Sequence, residues 1–156
     1  MALGLAVWYA ATLPACGGSP TAPVQPPAPA CEASLWSHVY DPARLQVIDA
    51  CRIVTGTLMA HHSNEDGDID MQIALDPPFE QMLNESNRGK LQGWLQVEAV
   101  CQAPVIRSAQ AACAGFTGTV PIPADGARVR ITGSYVLDTN HGWMEIHPVT
   151  AIAVLR

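Results

Sequence analysis

Strict alternation of apolar and polar residues is the feature of this sequence that most limits its fold. In residues 68–76, DIDMQIALD, every second side chain is apolar, and residues 91–100, LQGWLQVEAV, largely repeat the pattern. Because successive side chains of a β-strand point to opposite faces, this period of two predicts strands that each bury one face. The other face, with Asp70, Gln96 and Glu98 among its polar members, is expected to meet solvent.

Three further segments have the β-branched and apolar content of strands, at residues 52–61, 127–137 and 144–155. Together with the two alternating segments they make five predicted strands. Proline and helix-compatible residues between the strands indicate short helical connections. These helices are expected near Pro42 and within residues 77–86 and 107–116.

Five strands with a helical excursion between the third and the fourth match the order of an OB-fold, a small Greek-key barrel. Gly56 in VTGT and Gly133 in ITGS support this, since a glycine inside a strand often marks the bend that a small barrel needs. The predicted fold class is therefore all-β with short helices, as a five-stranded OB-fold-like barrel. The alternative with the same strand count is a small antiparallel sandwich.

The first 30 residues predict an export signal and a tether. Residues 3–13 are an apolar run too short to span a bilayer, and LPAC places Cys16 after a small residue. This resembles a bacterial lipoprotein signal, which implies cleavage before Cys16 and lipid on its sulfur; the alternative is an ordinary secretory signal with an incidental cysteine. The proline-rich, uncharged residues 17–30 are expected to be extended. The predicted division is signal peptide 1–15, tether 16–30 and OB-like domain 31–156.

The cysteine count agrees with export. Of five cysteines, Cys16 would carry lipid, which leaves an even four. The local pairing, Cys31 with Cys51 and Cys101 with Cys113, closes two short loops, while four cysteines allow three pairings in all. A zinc site would need closer cysteine pairs, and the sequence has no Cys-x-x-Cys redox motif.

Length and charge narrow the class of protein. The 156 residues suffice for one compact domain once a leader and a tether are set aside. A net charge of −6, with only eight scattered lysines and arginines, argues against a nucleic-acid partner, which needs phosphate-neutralising clusters. The acidic loops point instead toward cations, basic ligands or simple solubility.

A ligand-binding face is predicted from the fold. OB-folds bind across strands two and three, between the loops that join strands one to two and four to five. In this chain those loops are residues 61–67, HHSNEDG, and residues 138–143, DTNHGW. The predicted ligand-binding residues are Asp70, Gln72, Trp94, Gln96, Glu98 and Trp143.

The closing stretch HGWMEIHPV places acids and histidines at alternating positions. Glu145 and His147 are two residues apart and would share a strand face, which suits adjacent metal ligands. His61 and His62 would point to opposite faces, so at most one of them joins a site easily. The candidate ligands for a divalent metal are His61, Asp70, Glu98, His141, Glu145 and His147.

These residues also have plain structural interpretations. Residues 66–68, Asp-Gly-Asp, are a good turn before a strand, and EDGDID lacks the full spacing and late glutamate of a calcium loop. Glu98 on an exposed face is usually solvated. Trp94 would then cover the barrel surface and Trp143 plug its mouth. His147, before a proline, would bond to the backbone and hold the strand end.

The segments EDGDIDMQIALDP, LQVEAVC, AACAGF and ARVRITGSYVLDTNHGWMEIHPV resemble an uncharacterised bacterial family of small exported or anchored OB-like domains. Its signature is Asp-Gly-Asp before a strand, a later Val-Glu, and a terminal Glu-Ile/Leu-His-Pro-Val. The resemblance covers roughly residues 54–154 and implies no established activity. Asp70 stands where the family often has histidine, so any metal-ligand set is altered here. The matching positions are Asp66, Gly67, Asp68, Glu98, His141, Glu145, His147 and Pro148.

Two functions of different classes follow. The first is a non-enzymatic binding or interaction module, lipid-anchored through Cys16 to the bacterial cell envelope, facing the periplasm or the cell surface. Its strand two-three face would meet a small ligand, a cation or an envelope protein. The second is a metal-dependent hydrolase that uses the same histidines and acids. No Ser-His-Asp, Cys-His or phosphate-cradling motif is present, so the sequence favours binding and leaves enzymatic activity uncertain.

Overall fold

The computed structural model describes residues 30–106 and 108–156. The predicted signal peptide, Cys16 and nearly all of the predicted tether lie outside the described residues, so the proposed division of the chain stays a prediction. In the part that is described, no helix is both long enough and apolar enough to cross a membrane.

Five strands form one mixed sheet that closes in a ring. The order around the ring is β1-β2-β3-β5-β4, and β4 pairs back onto β1. Strands β3 and β5 are parallel, and the other neighbouring pairs are antiparallel. The predicted all-β class with five strands is confirmed, and residues 30–106 and 108–156 contain no second sheet for a sandwich. The strands are β1 (Leu45–Ser63), β2 (Ile69–Leu75), β3 (Leu95–Ala99), β4 (Arg128–Asp138) and β5 (Met144–Val154).

Short helices occupy the predicted connections. Pro42 and Pro77 stand in the first turn of their helices, where the missing N–H needs no partner. The first α-helix begins with a capping box, in which the side chains of Asn84 and Asn87 each accept the other's backbone N–H. The 3₁₀ helices are Ala33–His38, Pro42–Arg44 and Pro77–Met82, and the α-helices are α1 (Glu85–Lys90) and α2 (Gln110–Cys113).

The inner faces of the strands make the core. Met71 and Ile73 of β2, and Leu95, Val97 and Ala99 of β3, are at most 1% exposed, as the alternation predicts. Burying an aliphatic or methionine side chain of this size contributes about 1.5–3 kcal/mol relative to leaving it in water. The apolar side chains of each alternating segment therefore lie in the core.

Two glycines allow neighbouring strands to pack closely. A Cβ on Gly56 would lie 2.4 Å from the carbonyl oxygen of Ala74, and a Cβ on Gly133 would lie 2.5 Å from that of Pro148. Gly133 also lies between two register shifts in the pairing of β4 with β5. Both glycines thus stand where a side chain would push neighbouring backbone away.

Both predicted disulfides are present. Cys31 pairs with Cys51 and Cys101 pairs with Cys113, across sequence separations of 20 and 12 residues. In the chain-entropy account, closing loops of this length contributes about 3 kcal/mol each. The first disulfide holds the N-terminal segment to β1, and the second holds the end of β3 to α2.

The polar outer face of β3 is buried, contrary to the expectation that it meets solvent. Gln96 and Glu98 are only 4% and 5% exposed, and Asp70 beside them on β2 is 7% exposed, although the sequence predicts a solvated face. Arg44, just before β1, lies against Glu98 with an Nη2–Oε2 distance of 3.6 Å. Alternation shows which side chains are polar, but more distant parts of the chain decide whether they are covered.

Candidate functional site

A cavity of about 410 Å³ lies over the outer face of β2 and β3. It is bordered by the β1–β2 loop, the β4–β5 loop and the segment that leads into β1, and it is open to solvent. Both loops are those that the sequence predicts to converge. Residues that line this pocket include Tyr40, Asp41, Arg44, His62, Asn64, Asp66, Asp70, Gln72, Gln96, Glu98, Asn140, His141 and Trp143.

Strand register brings acids and a histidine together below this pocket. Asp70 is opposite Glu98 in the β2–β3 pairing, and Gln96 is opposite Glu145 in the β3–β5 pairing. Side chains two residues apart share a face, so His147 lies near Glu98. The Nδ1 atom of His147 is 2.9 Å from Glu98 Oε2 and 3.2 Å from Glu145 Oε1. His147 is thus tied to carboxylates rather than to the backbone, contrary to its plain interpretation.

The second ring nitrogen of His147 faces Asp68. The Nε2–Oδ2 distance is 3.4 Å, and the two side chains are 0% and 1% exposed. Asp68 Oδ1 accepts the backbone N–H of Cys101 at 2.9 Å, which holds the carboxylate in place. Among the described residues, His147 Nε2, Asp68 Oδ2 and Asp70 Oδ1 are buried without a hydrogen-bond partner.

Arg44 brings positive charge to the same cluster. Its guanidinium contacts the buried carboxylate of Asp138, and it lies 3.6 Å from Glu98 and 3.9 Å from Glu145. Asp138 also accepts the backbone N–H groups of Asn140 and His141, at 2.8 and 3.0 Å. Arg44 therefore links the entry to β1 with the end of β4.

Carboxylates outnumber the two largely buried cationic groups, Arg44 and His147. Burial raises the pKa of Asp70 to about 8, and the nearby carboxylates of Glu98 and Asp66 raise it further. Burial likewise raises the pKa of Glu145 above its ordinary value. Carboxyl groups are therefore in excess at this place, and a pKa of about 8 keeps Asp70 mostly protonated at pH 7. The carboxylates of the cluster are Asp66, Asp68, Asp70, Glu98, Asp138 and Glu145.

Glu98 and His147 stabilise each other's charged forms. Burial by itself would raise the pKa of Glu98, but the imidazole of His147 and the guanidinium of Arg44 outweigh it and hold that pKa at about 2. Burial would lower the pKa of His147, but Glu98, Asp68 and Glu145 outweigh it and raise that pKa well above its ordinary value. The contacts of His147 with these carboxylates therefore favour its imidazolium form.

Five of the six predicted ligand-binding residues line the pocket, and Trp94 does not. Trp94 lines a separate cavity of about 270 Å³ with Leu83 and Arg88. The two residues before it, Gln92 and Gly93, have φ values of +58° and +80°. This turn breaks the alternation, and β3 begins only at Leu95, so the strand pattern does not set the direction of Trp94.

The predicted metal ligands separate into two groups. Glu98, Glu145 and His147 meet, and Asp70 lies opposite Glu98. His61 is elsewhere, because its Nδ1 lies 2.7 Å from Asp125 Oδ1 at the surface. The histidine on the pocket side is its neighbour His62, whose Nε2 is 3.5 Å from Asp70 Oδ2. A register shift between Leu58 and Ala60 moves the faces of β1 just before these histidines.

His141 and Trp143 stand at the rim of the pocket. His141 Nδ1 is 2.8 Å from Asp138 Oδ2, and its ring stacks on Trp143 with centroids 4.3 Å apart. Trp143 donates its Nε1–H to Glu145 Oε2 at 2.9 Å. His141 thus belongs to the wall of the pocket and not to the cluster around His147.

Sequence reasoning missed four members of the cluster as site residues: Arg44, Asp66, Asp68 and Asp138. Asp68 was assigned to a turn, and a turn is present, since Gly67 has a φ of +97° and Asp66 accepts the N–H of Asp68. The position of Asp68 two residues before Asp70 was the available signal, because such residues share a face. No local pattern links Arg44 with Asp138.

Comparison with protein-family models, curated proteins and solved structures found no match for this chain. The resemblance to a family of exported OB-like domains stays a prediction. Function has to be inferred from the geometry of the cluster and the pocket above it.

Proposed function

We propose that this protein is an exported binding module that holds a small cation at the pocket on the outer face of β2 and β3. The observation that carries the proposal is that the carboxylate oxygens Asp68 Oδ2 and Asp70 Oδ1 are buried and accept no hydrogen bond among the described residues, with His147 Nε2 lying 3.4 Å from Asp68 Oδ2. An unsatisfied buried polar atom costs about 1–3 kcal/mol, more when it is charged. A cation bound beside these oxygens would remove that cost.

The excess of carboxylates supports a cationic ligand over an anionic or neutral one. Arg44 and His147 already contact Asp138, Glu98 and Glu145. Burial and, after it, the neighbouring carboxylates raise the pKa of Asp70, and a further positive charge would offset both effects. The pocket volume of about 410 Å³ suits a small ligand rather than a protein segment.

The fold assignment within this proposal is the OB-fold. The ring order β1-β2-β3-β5-β4, with a helix between β3 and β4, supports it. The pocket is also placed as in that fold, across strands two and three and between the two corresponding loops.

The proposed location is the bacterial cell envelope, with lipid on Cys16 and residues 17–30 as a tether. Two disulfides support export, because such bonds persist in oxidising compartments. The test is mass spectrometry of the protein from membranes, where cleavage before Cys16 and lipid on its sulfur are expected. An intact leader, or membrane partitioning unchanged by Cys16→Ser, would contradict the anchor.

Binding explains the geometry better than metal-dependent hydrolysis does. The hydrolase hypothesis counted His141 among its ligands or acid-base groups, but that side chain is bonded to Asp138 and stacked on Trp143 at the rim.

Isothermal titration calorimetry of the full chain tests the proposal with four probes: Ca²⁺, Mn²⁺, Zn²⁺ and spermidine. At least one probe is expected to bind with one site per chain, and Asp70→Asn is expected to weaken it at least tenfold. Asp125→Asn is the matched control, since Asp125 is exposed and lies away from the pocket. Failure of all four probes, or equal losses in the two variants, would contradict the proposed function.

A further inference from the structure

The contacts of His147 distinguish its two ring nitrogens. Nδ1 faces the carboxylates of Glu98 and Glu145, at 2.9 and 3.2 Å. Nε2 has no hydrogen-bond partner among the described residues. A histidine that binds a metal through one nitrogen almost always donates its other N–H to a carboxylate, a carbonyl or water. Glu98 and Glu145 therefore hold the imidazole as a metal ligand is held, and Nε2, which faces Asp68 Oδ2 at 3.4 Å, would release its proton to solvent when it binds a metal.

The separation of Nε2 from Asp68 Oδ2 fits one bridging ion. The two atoms are 3.4 Å apart, and both are buried without a partner in the described part of the chain. Zinc binds imidazole nitrogen and carboxylate oxygen at about 2.1 Å, so an ion touching both atoms would make an angle of about 110°, close to tetrahedral. The pair therefore already has the separation of two zinc ligands.

Further donors lie close to this pair. Asp68, Glu98 and His147 each offer one ligand atom, and the three atoms lie within 4.8 Å of one another. Asp70 Oδ1 is the third buried atom without a partner, and its carboxylate borders the pocket. Asp70 and Glu98 line the pocket, whereas Asp68 and His147 are buried outside its lining.

We propose that the bound cation is a divalent transition metal of the zinc type, with His147 Nε2 and Asp68 Oδ2 as its direct ligands. This inference rests on the proposed cation-binding function and names its ligand. An imidazole nitrogen suits Zn²⁺ and Co²⁺, whereas Ca²⁺ and Mg²⁺ take oxygen ligands almost entirely. Glu145 is a positioning residue that orients the imidazole, and Glu98, which also contacts Nδ1, offers the ion a further carboxylate.

The first experiment adds Co²⁺ and Zn²⁺ to the metal-free full chain. One equivalent of Co²⁺ is expected to give the visible absorption of a four- or five-coordinate ion, and Zn²⁺ is expected to displace it. Asp68→Asn and His147→Gln are each expected to reduce Zn²⁺ affinity at least 100-fold. Glu145→Gln is expected to reduce it about 10–100-fold while the cobalt spectrum is kept, as for a residue that orients a ligand.

His61→Gln is the matched control. His61 also contacts a carboxylate, Asp125, but it does so at the surface and away from the cluster. This variant is expected to bind Zn²⁺ with unchanged affinity. An equal loss in His61→Gln and His147→Gln would overturn the assignment of the ligand.

Because the cluster residues are buried, their variants can fail to fold, so a measurement on the unaltered chain is also required. Nitrogen-15 NMR of the histidine rings is expected to show a large shift of His147 Nε2 when Zn²⁺ is added, with Nδ1 keeping its proton. Zinc binding without a response of His147 would overturn the inference. If Ca²⁺ or spermidine binds while Zn²⁺ and Co²⁺ do not, the inference fails and the proposed function stands. If no cation binds, both fail.

Discussion

Strand β3 is buried on both faces, and the two faces are stabilised by different means. On the inner face, Leu95 and Val97 are fully buried among apolar neighbours, and their burial needs no particular partner. On the outer face, Gln96 and Glu98 are nearly as buried, but Gln96 donates to Glu98 Oε1 at 3.3 Å and Glu98 Oε2 faces His147. A change of side-chain shape on the inner face is therefore expected to cost less stability than the loss of one charged partner on the outer face.

Removing the guanidinium of the outer cluster is expected to have the largest effect. Arg44→Met leaves Asp138, Glu98 and Glu145 with fewer opposite charges, and breaking a buried ion pair in this way costs about 3–5 kcal/mol. Urea denaturation of the disulfide-intact protein measures the loss. The control is Arg130→Met on the exposed side of β4, for which a change within about 0.5 kcal/mol is expected. Similar losses in both variants would remove the contrast between the faces.

A truncation on the inner face provides the second measurement. Leu95→Ala is expected to lower the free energy of unfolding by about 3 kcal/mol, from lost apolar burial and the cavity left behind. Because no titrating group is removed, the difference from the unaltered protein should be the same at pH 6 and pH 8. A strongly pH-dependent difference would show that the two faces of β3 are coupled.

A single hydrogen bond at the rim of the pocket gives a smaller effect. Trp143→Phe keeps an aromatic ring beside His141 but removes the N–H that Glu145 Oε2 accepts at 2.9 Å. Leaving that carboxylate oxygen without its donor is expected to cost about 1–2 kcal/mol, seen as a lower melting temperature. An unchanged melting temperature would indicate that water replaces the indole.

The smallest effect is expected at an exposed ion pair far from the cluster. Hydrogen bonds from Arg128 and Thr55 lower the pKa of Asp76 from 3.8 to about 2. Because the folded-state pKa is depressed, the stabilisation is present above pH 3.8 and is lost as the pH falls through 2. Melting temperatures of the unaltered protein and Asp76→Asn are expected to converge across this window. A constant difference between them would show that the pair does not act through charge.

Sequence patterns predicted the inner half of the molecule because those patterns are local. The alternation in residues 68–76 and 91–100 identified Met71, Ile73 and Val97 as core residues. The pairing of cysteines close in sequence was also correct. Such features follow from strand geometry or from short loops, and neither requires knowledge of distant parts of the chain.

Backbone irregularities limited the sequence-based prediction at Trp94 and at His61. The turn at Gln92 and Gly93 directs Trp94 into a different cavity. The register shift in β1 leaves His62 at the pocket, while His61 contacts Asp125 at the surface. A period of two cannot be extended through a turn or a bulge, and neither irregularity has a strong sequence signal.

The sequence by itself determined the five strands, their apolar faces, the two disulfides and the loops that meet at the pocket. Only the tertiary structure decided that the polar face is buried and which charges meet there. Arg44 and Asp138 are 94 residues apart, and they meet because Leu45 is opposite Asp138 in the pairing of β1 with β4. An apolar stripe reports a residue's own preference for burial, whereas a buried charge depends on partners that only the closed ring brings within reach.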